Sequence, residues 1–166
     1  MKVDPTDKQI REYFHRSYTA VDGLWFMKVE EMYGFEAALQ LDEEVWKVLP
    51  KIQARMLKAM IGSDNDMVGL RQAVLIRLTL EGFEFEAEEI SDHNGIKICI
   101  KRCPWHDLLL KSGREGLSER VGDLICRREH SVFASEFGDI DFKRESRICS
   151  GDEECTLRFV QTAEQL

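Results

Sequence analysis

The residues of this chain that could do chemistry are its cysteines, and they are unevenly placed. Cys99, Cys103, Cys126, Cys149 and Cys155 make an odd count, and all of them lie late in the 166 residues. In a reducing compartment thiols persist, so an odd set reads against a disulfide framework. Cys103 stands before Pro104 at the expected start of a helix, where free backbone amides and the helix dipole favour thiolate. Cys126 lies near a helix end, and Cys149 and Cys155 flank one tight turn. Four converging thiolates suit a tetrahedral Zn²⁺ site with Zn–S distances of roughly 2.3 Å. His106 and His130 follow Cys103 and Cys126 at helical spacing and could chelate the same ion, and Glu145 is the reserve carboxylate. No C-x-x-C pair is present, and each cysteine taken singly reads as a small buried hydrophobe. Cys99 alternates with isoleucines toward a lysine-bearing face and stands outside the set.

The elements that must position these residues change character at Gly82. Before it the pattern is helical. Pro5 opens a helix over Thr6–Thr19, and Asp22 is placed to cap a second that ends at Gly34. Phe35–Leu41 makes a short turn of helix. Asp42 then caps Glu43–Met60, which Pro50 should kink or restart. After the loop 62–66, Met67–Leu80 is a further helix. Beyond Gly82 the period is two: Phe83, Phe85 and Ala87, a turn over residues 91–95, then Ile96, Ile98 and Ile100. Acidic residues on one strand face basic ones on the other. Helices follow from Cys103 and from Glu115 to about Glu129, Ser131–Gly138 is ambiguous between helix and strand, and strands over Asp139–Cys149 and Glu154–Gln161 enclose the turn at Gly151. The order predicts an α+β fold in one domain over residues 1–166. Its helical part (1–81) packs on an antiparallel sheet of about four strands, and two helices separate the hairpins of the second part (82–166).

Composition narrows the partners. Lys and Arg total 23 against 31 Asp and Glu, a net charge of −8 with no basic block, which argues against nucleic acid or an anionic membrane surface. No run approaches the roughly 20 apolar residues of a membrane span, and the first residues lack the apolar middle of a signal peptide, so a cytoplasmic protein is expected.

The segment Ile148-Cys149-Ser150-Gly151-Asp152-Glu153-Glu154-Cys155-Thr156-Leu157-Arg158-Phe159 resembles the closing hairpin, G-D-x-x-C-x-x-x-F, of 4-vinyl reductase-like hydrocarbon-binding domains. It is also similar to that of L-2-amino-thiazoline-4-carboxylic acid hydrolase-like proteins, in which a Cys-Pro pair opens a helix and another cysteine follows, as Cys103-Pro104 and Cys126 do here. The segments Phe14–Tyr18, Asp22–Phe26 and Asp42–Trp46 resemble a prokaryotic family of this wider group. The resemblance implies an α+β ligand-binding fold shared with vesicle-tethering subunits and phenol-responsive sensors. In the sensors, zinc held by cysteines and a glutamate lies beside an aromatic-binding pocket. Carried over, Cys126, Cys149 and Cys155 are the matching positions, with Glu145 or Cys103 as the fourth ligand.

Three functions follow as expectations. The first is a small-molecule-binding or sensing domain whose apolar or aromatic ligand sits among Trp25, Phe26, Trp46 and Trp105, with His15 and Asp22 as polar contacts and zinc pinning the last hairpin. Large aromatics at helical spacing are more often plain core, and Asp22 is equally well explained as a helix cap. The second is a hydrolase working through a zinc-bound water, or through a thiolate such as Cys103 with His106 or His130 as base. The third is a protein-interaction subunit, and the relatives imply a homodimer.

Overall fold

Helix α1 runs unbroken from Asp7 to Tyr33. Thr6 and Gln9 close a capping box at its start, each side chain accepting the other's backbone N–H. Gly34, with φ at 86°, ends it. The break expected at Asp22 is absent: Gly23 costs about 1 kcal/mol relative to Ala inside a helix, which a long cooperative helix absorbs, so Asp22 is an interior residue rather than a cap. Helix α2 (Phe35–Trp46) likewise runs through Asp42. Pro50 sits in the first turn of α3 (Leu49–Ile61), where its missing N–H costs nothing, so it restarts the helix rather than kinking it. The structure, a computed structural model, describes residues 3–90 and 94–162, so most of the predicted turn after the first strand lies outside the described residues. The chain divides into two compact units, residues 1–42 and 43–166.

Within the second unit, α4 (Met67–Leu80) begins at Asp66, whose Oδ1 accepts the Gly69 N–H at 2.7 Å. Strands β1 (Glu84–Ile90) and β2 (Gly95–Arg102) form the predicted hairpin. After α5 (Pro104–Lys111) and α6 (Glu115–Val121) come a π-helical turn over Gly122–Cys126 and α7 (Arg127–Ala134). The ambiguous segment from Ser131 is therefore the end of α7 followed by a 3₁₀ turn, Ser135–Phe137. Strands β3 (Ile140–Arg144) and β4 (Cys155–Gln161) complete an antiparallel sheet of order β1-β2-β4-β3. The fold is α+β with a four-stranded sheet, as predicted.

Register fixes which side chains point inward. Ile96, Ile98 and Ile100 on β2 stand opposite Phe159, Leu157 and Cys155 on β4, and Phe142 and Arg144 on β3 stand opposite Phe159 and Leu157. This face joins Ala54 and Leu57 of α3, Leu70, Val74 and Leu78 of α4, and Phe133 of α7 in one core. The opposite face carries the charge pairs, such as Lys97 with Glu88 at 3.2 Å. The predicted strand over Asp139–Cys149 is shorter than expected. It stops at Arg144, and Ile148–Ser150 forms a 3₁₀ turn closed by Gly151 at φ 95°. Asp152 accounts for the early stop, because its carboxylate accepts the Arg147 N–H at 2.7 Å and folds the chain into the turn. Cys149 is a turn residue, and no strand period relates it to Glu145.

Candidate functional site

Cys103, Cys126, Cys149 and Cys155 all line one cavity, with about 630 Å³ of empty space including its mouth. The inward face of the sheet supplies Ile100, Cys155 and Leu157, α5 supplies Trp105, His106 and Leu109, and the α6 to α7 run supplies Ser118, Gly122, Cys126, Glu129 and His130. Cys103 is the residue that caps α5. Cys149 is held against the π-helical turn: a Cβ built on Gly122 would meet its Sγ at 2.5 Å, so any larger residue there must displace the Cys149 side chain. The Ile148 N–H points at Cys155 Sγ, 3.2 Å away. Negative charge on one of these sulfurs raises the pKa of its neighbours, Cys155 acting on Cys103, and Cys103 and Cys149 on Cys126.

Burial decides the state of three of these thiols, Cys103, Cys126 and Cys155. Desolvation pushes Cys103 up to about 12, against the opposing pull of the His106 and Trp105 amides. The predicted helix-start thiolate is therefore a thiol at neutral pH: removal from water outweighs a few backbone dipoles. Cys126 is raised well above the ordinary thiol range and Cys155 is raised too, in both cases chiefly by burial. The donor set matches zinc in type. In arrangement it does not: among the described residues no group of three or more His, Cys, Asp or Glu side chains is placed to hold a metal ion. Glu145 lies away from the cavity lining, with its carboxylate 3.5 Å from Arg158. Cys99 points from β2 into the charged face, near Glu154.

The two histidines have different surroundings. His130 Nδ1 lies 3.0 Å from Arg77 Nη2, and because a guanidinium only donates, that nitrogen is an acceptor and the ring proton sits on Nε2. Burial, Arg77 and Arg144 hold the His130 pKa well below the usual imidazole range, so it is a neutral donor rather than the expected base. Arg77 is itself buried, 2.8 Å from Glu129 and over the Phe133 ring. His106 Nδ1 lies 2.7 Å from the hydroxyl of Ser118, a buried residue of α6. That is the distance of a hydroxyl and its base.

Of the aromatic candidates, Trp105 lines the cavity, and Trp46 packs edge-on against it with ring centroids 6.0 Å apart. His15, Asp22, Trp25 and Phe26 stand on α1, in the other unit. Trp25 is 69% exposed, Phe26 meets Phe35 edge-on, and burial raises the Asp22 carboxyl. Sequence reasoning did not single out Ser118, Arg77, Glu129 or Arg144. For the two arginines a signal existed. Arg77 shares a helical stripe with Leu70, Ala73 and Val74, and Arg144 continues the inward alternation Ile140, Phe142, so each puts a charge where the pattern calls for an apolar residue.

A small α+β protein with a thiol-lined cavity and a hydroxyl–imidazole pair inside it has the furniture of a small-molecule enzyme or receptor. Residues 11–159 match the family model described as L-2-amino-thiazoline-4-carboxylic acid hydrolase, and the chain belongs to that family. No curated protein and no solved structure matches it. The match bears out the hydrolase part of the resemblance, while the likeness to 4-vinyl reductase-like domains rests on the hairpin motif alone.

Proposed function

We propose that the chain is a hydrolase that opens a small sulfur-containing cyclic amidine acid, of the 2-amino-thiazoline-4-carboxylate type, inside this cavity. The observation that carries the reading is the His106–Ser118 pair at 2.7 Å within the cavity lining. Nucleophile and base in hydrogen-bond reach are the minimum for covalent catalysis, and Cys103, Cys126 and Cys155, held protonated by burial, are poor nucleophiles.

In this reading Ser118 Oγ adds to the C=N carbon as His106 takes its proton. The C–S bond then breaks, its electron pair leaves with sulfur, and sulfur takes the proton from His106. An isourea ester remains on Ser118. Water adds to its carbon, the serine oxygen departs with a proton returned through His106, and a ureido thiol is released. The protonated thiols and apolar walls suit a sulfur heterocycle.

The test is mass-spectrometric detection of the ureido thiol from L-2-amino-thiazoline-4-carboxylate. Ser118→Ala and His106→Gln should each lower turnover about 10²-fold or more, as loss of a nucleophile or general base does, while Cys103→Ser keeps activity within a few-fold. Full activity in Ser118→Ala overturns the assignment, and an inactive wild type overturns the hydrolase.

A second reading, a binding or sensing domain, draws support from the largely apolar wall formed by Phe83, Ile100, Trp105, Leu109, Val121 and Leu157. Saturable binding of such ligands with no product identifies it. Stoichiometric zinc in protein purified without added metal would restore the metal-pinned form of that reading.

A further inference from the structure

Arg144 is the cation in the cavity lining, and the proposed chemistry leaves it unused. It occupies an inward position on β3 opposite Leu157, its side chain is only 7% exposed, and it lines the cavity. Burying a guanidinium costs several kcal/mol unless charge and hydrogen bonds compensate. Compensation here is incomplete. Arg144 donates from Nη1 to the Gly122 carbonyl and from Nη2 to Asp123 Oδ1 at 3.2 Å. The same Asp123 oxygen also takes Arg147 Nη1 at 2.9 Å and stands 3.5 Å from Arg127 Nη2. Three guanidiniums therefore share one carboxylate, in a chain whose net charge is −8. Asp123 is 57% exposed, so the shared counter-charge is on the solvent side while Arg144 reaches the cavity. The carboxylate in the cavity lining, Glu129, is taken up by Arg77 at 2.8 Å, so Arg144 leaves a surplus of positive charge at a concave, largely apolar site, which a small anion matches.

We infer that Arg144 anchors the carboxylate of the cavity's ligand and makes the site select small carboxylic acids over their uncharged counterparts. Guanidinium and carboxylate match in geometry and charge, and a paired, partly desolvated contact of this kind discriminates strongly against a neutral isostere. The inference rests on the reading of this cavity as the substrate site, but it concerns binding and does not require turnover.

The test compares L-2-amino-thiazoline-4-carboxylate with its primary carboxamide, binding being followed by calorimetry and by intrinsic tryptophan fluorescence, to which Trp105 at the cavity wall contributes. Wild type should prefer the acid by roughly 10- to 100-fold. Arg144→Gln should abolish that preference by weakening the acid alone, with the amide changed no more than about threefold. Because Arg144 also holds the π-helical turn, Asp123→Asn supplies an independent arm at an exposed residue: freeing Arg144 from its counter-charge should tighten the acid several-fold and leave the amide alone. Retained acid preference in Arg144→Gln, a weakened acid in Asp123→Asn, or a wild type that binds neither compound overturns the anchor. Acid binding that depends on Arg144 without any product would sustain the anchor and remove the hydrolase. Turnover with a KM indifferent to Arg144→Gln would do the reverse.

Discussion

Gly122 offers the sharpest check on how the cavity is built. A methyl group there would stand 2.5 Å from Cys149 Sγ and 3.5 Å from its Cβ. Ordinary contact begins near ~3.5 Å, so Gly122→Ala creates an overlap of about 1 Å. Overpacking of this kind costs about 1–3 kcal/mol. Against it stands the gain of about 1 kcal/mol from replacing a glycine that already has helical angles, φ −60° and ψ −34°. The single variant should therefore lie between neutral and about 2 kcal/mol less stable than wild type. Cys149→Ala removes the obstructing sulfur, and in that background Gly122→Ala should stabilise by about 1 kcal/mol. The two changes are then coupled by about 1–3 kcal/mol, read from a double-mutant cycle of urea unfolding curves at constant m. Additivity within about 0.5 kcal/mol would mean that the two residues do not touch, and that the turn carrying Cys149 is not seated on the π-helical turn. A positive coupling has a further consequence, because the Gly122 carbonyl is an acceptor for Arg144. Gly122→Ala alone should weaken acid binding, and Cys149→Ala should restore it.

Stability should fall on both sides of neutrality. Cys103 has its folded pKa raised to about 12 and Cys126 is shifted the same way, so the folded state keeps protons that the unfolded chain loses near pH 9. Stability present below pH 9 is then lost as pH climbs toward 12, at up to about 1.4 kcal/mol per pH unit for each thiol, and a flat urea midpoint between pH 8 and pH 10 refutes it. His130 has a depressed folded pKa, so its contribution is present above pH 6.5 and is lost as pH falls below that value. His130→Phe should flatten the acid limb between pH 6.5 and pH 5. Arg77→Met leaves Glu129 buried without its partner 2.8 Å away, and a loss of about 3–5 kcal/mol in chemical unfolding is expected, part of which Arg77→Met with Glu129→Leu should recover. A loss below 1 kcal/mol in the single variant would show that the pair is not shielded from water.

Periodicity made most of this fold legible. The two-residue alternation of β1 and β2, the positive-φ glycines at 34 and 151, and the stripe of α4 are all local signals, and the structure agrees with them. Misreadings came where a weak local break was overruled by cooperativity, as at Asp22 and Asp42, or where one side chain redirected the chain, as Asp152 does at the end of β3. That four cysteines share a cavity was foreseeable from their positions at element ends. That burial raises Cys103, Cys126 and Cys155 was not, because a pKa depends on how much water the finished fold excludes, and no spacing encodes that. Ser118 was invisible for a related reason. It is one polar residue within a polar helix, and its meeting with His106 depends on the turn that carries α5 into α6 through Gly113 at φ 69°.

Arg77 and Arg144 teach the opposite lesson. Each breaks the apolar phase of its own element, and each is a buried cation beside the cavity. Evaluated alone, such a residue is an expensive mistake, since an apolar side chain of similar volume would pack at no electrostatic cost. Its presence implies a return elsewhere. For Arg77 that return is internal in charge, although its Nε is buried with no hydrogen-bond acceptor among the described residues: it meets Glu129, fixes the tautomer of His130, and faces a Glu81 carboxyl that burial holds toward its neutral form. For Arg144 the internal partners fall short, because Asp123 is divided among three arginines. The unbalanced member of the two is the one expected to meet a ligand, and a sequence scan for charges at core-phase positions would have led to both.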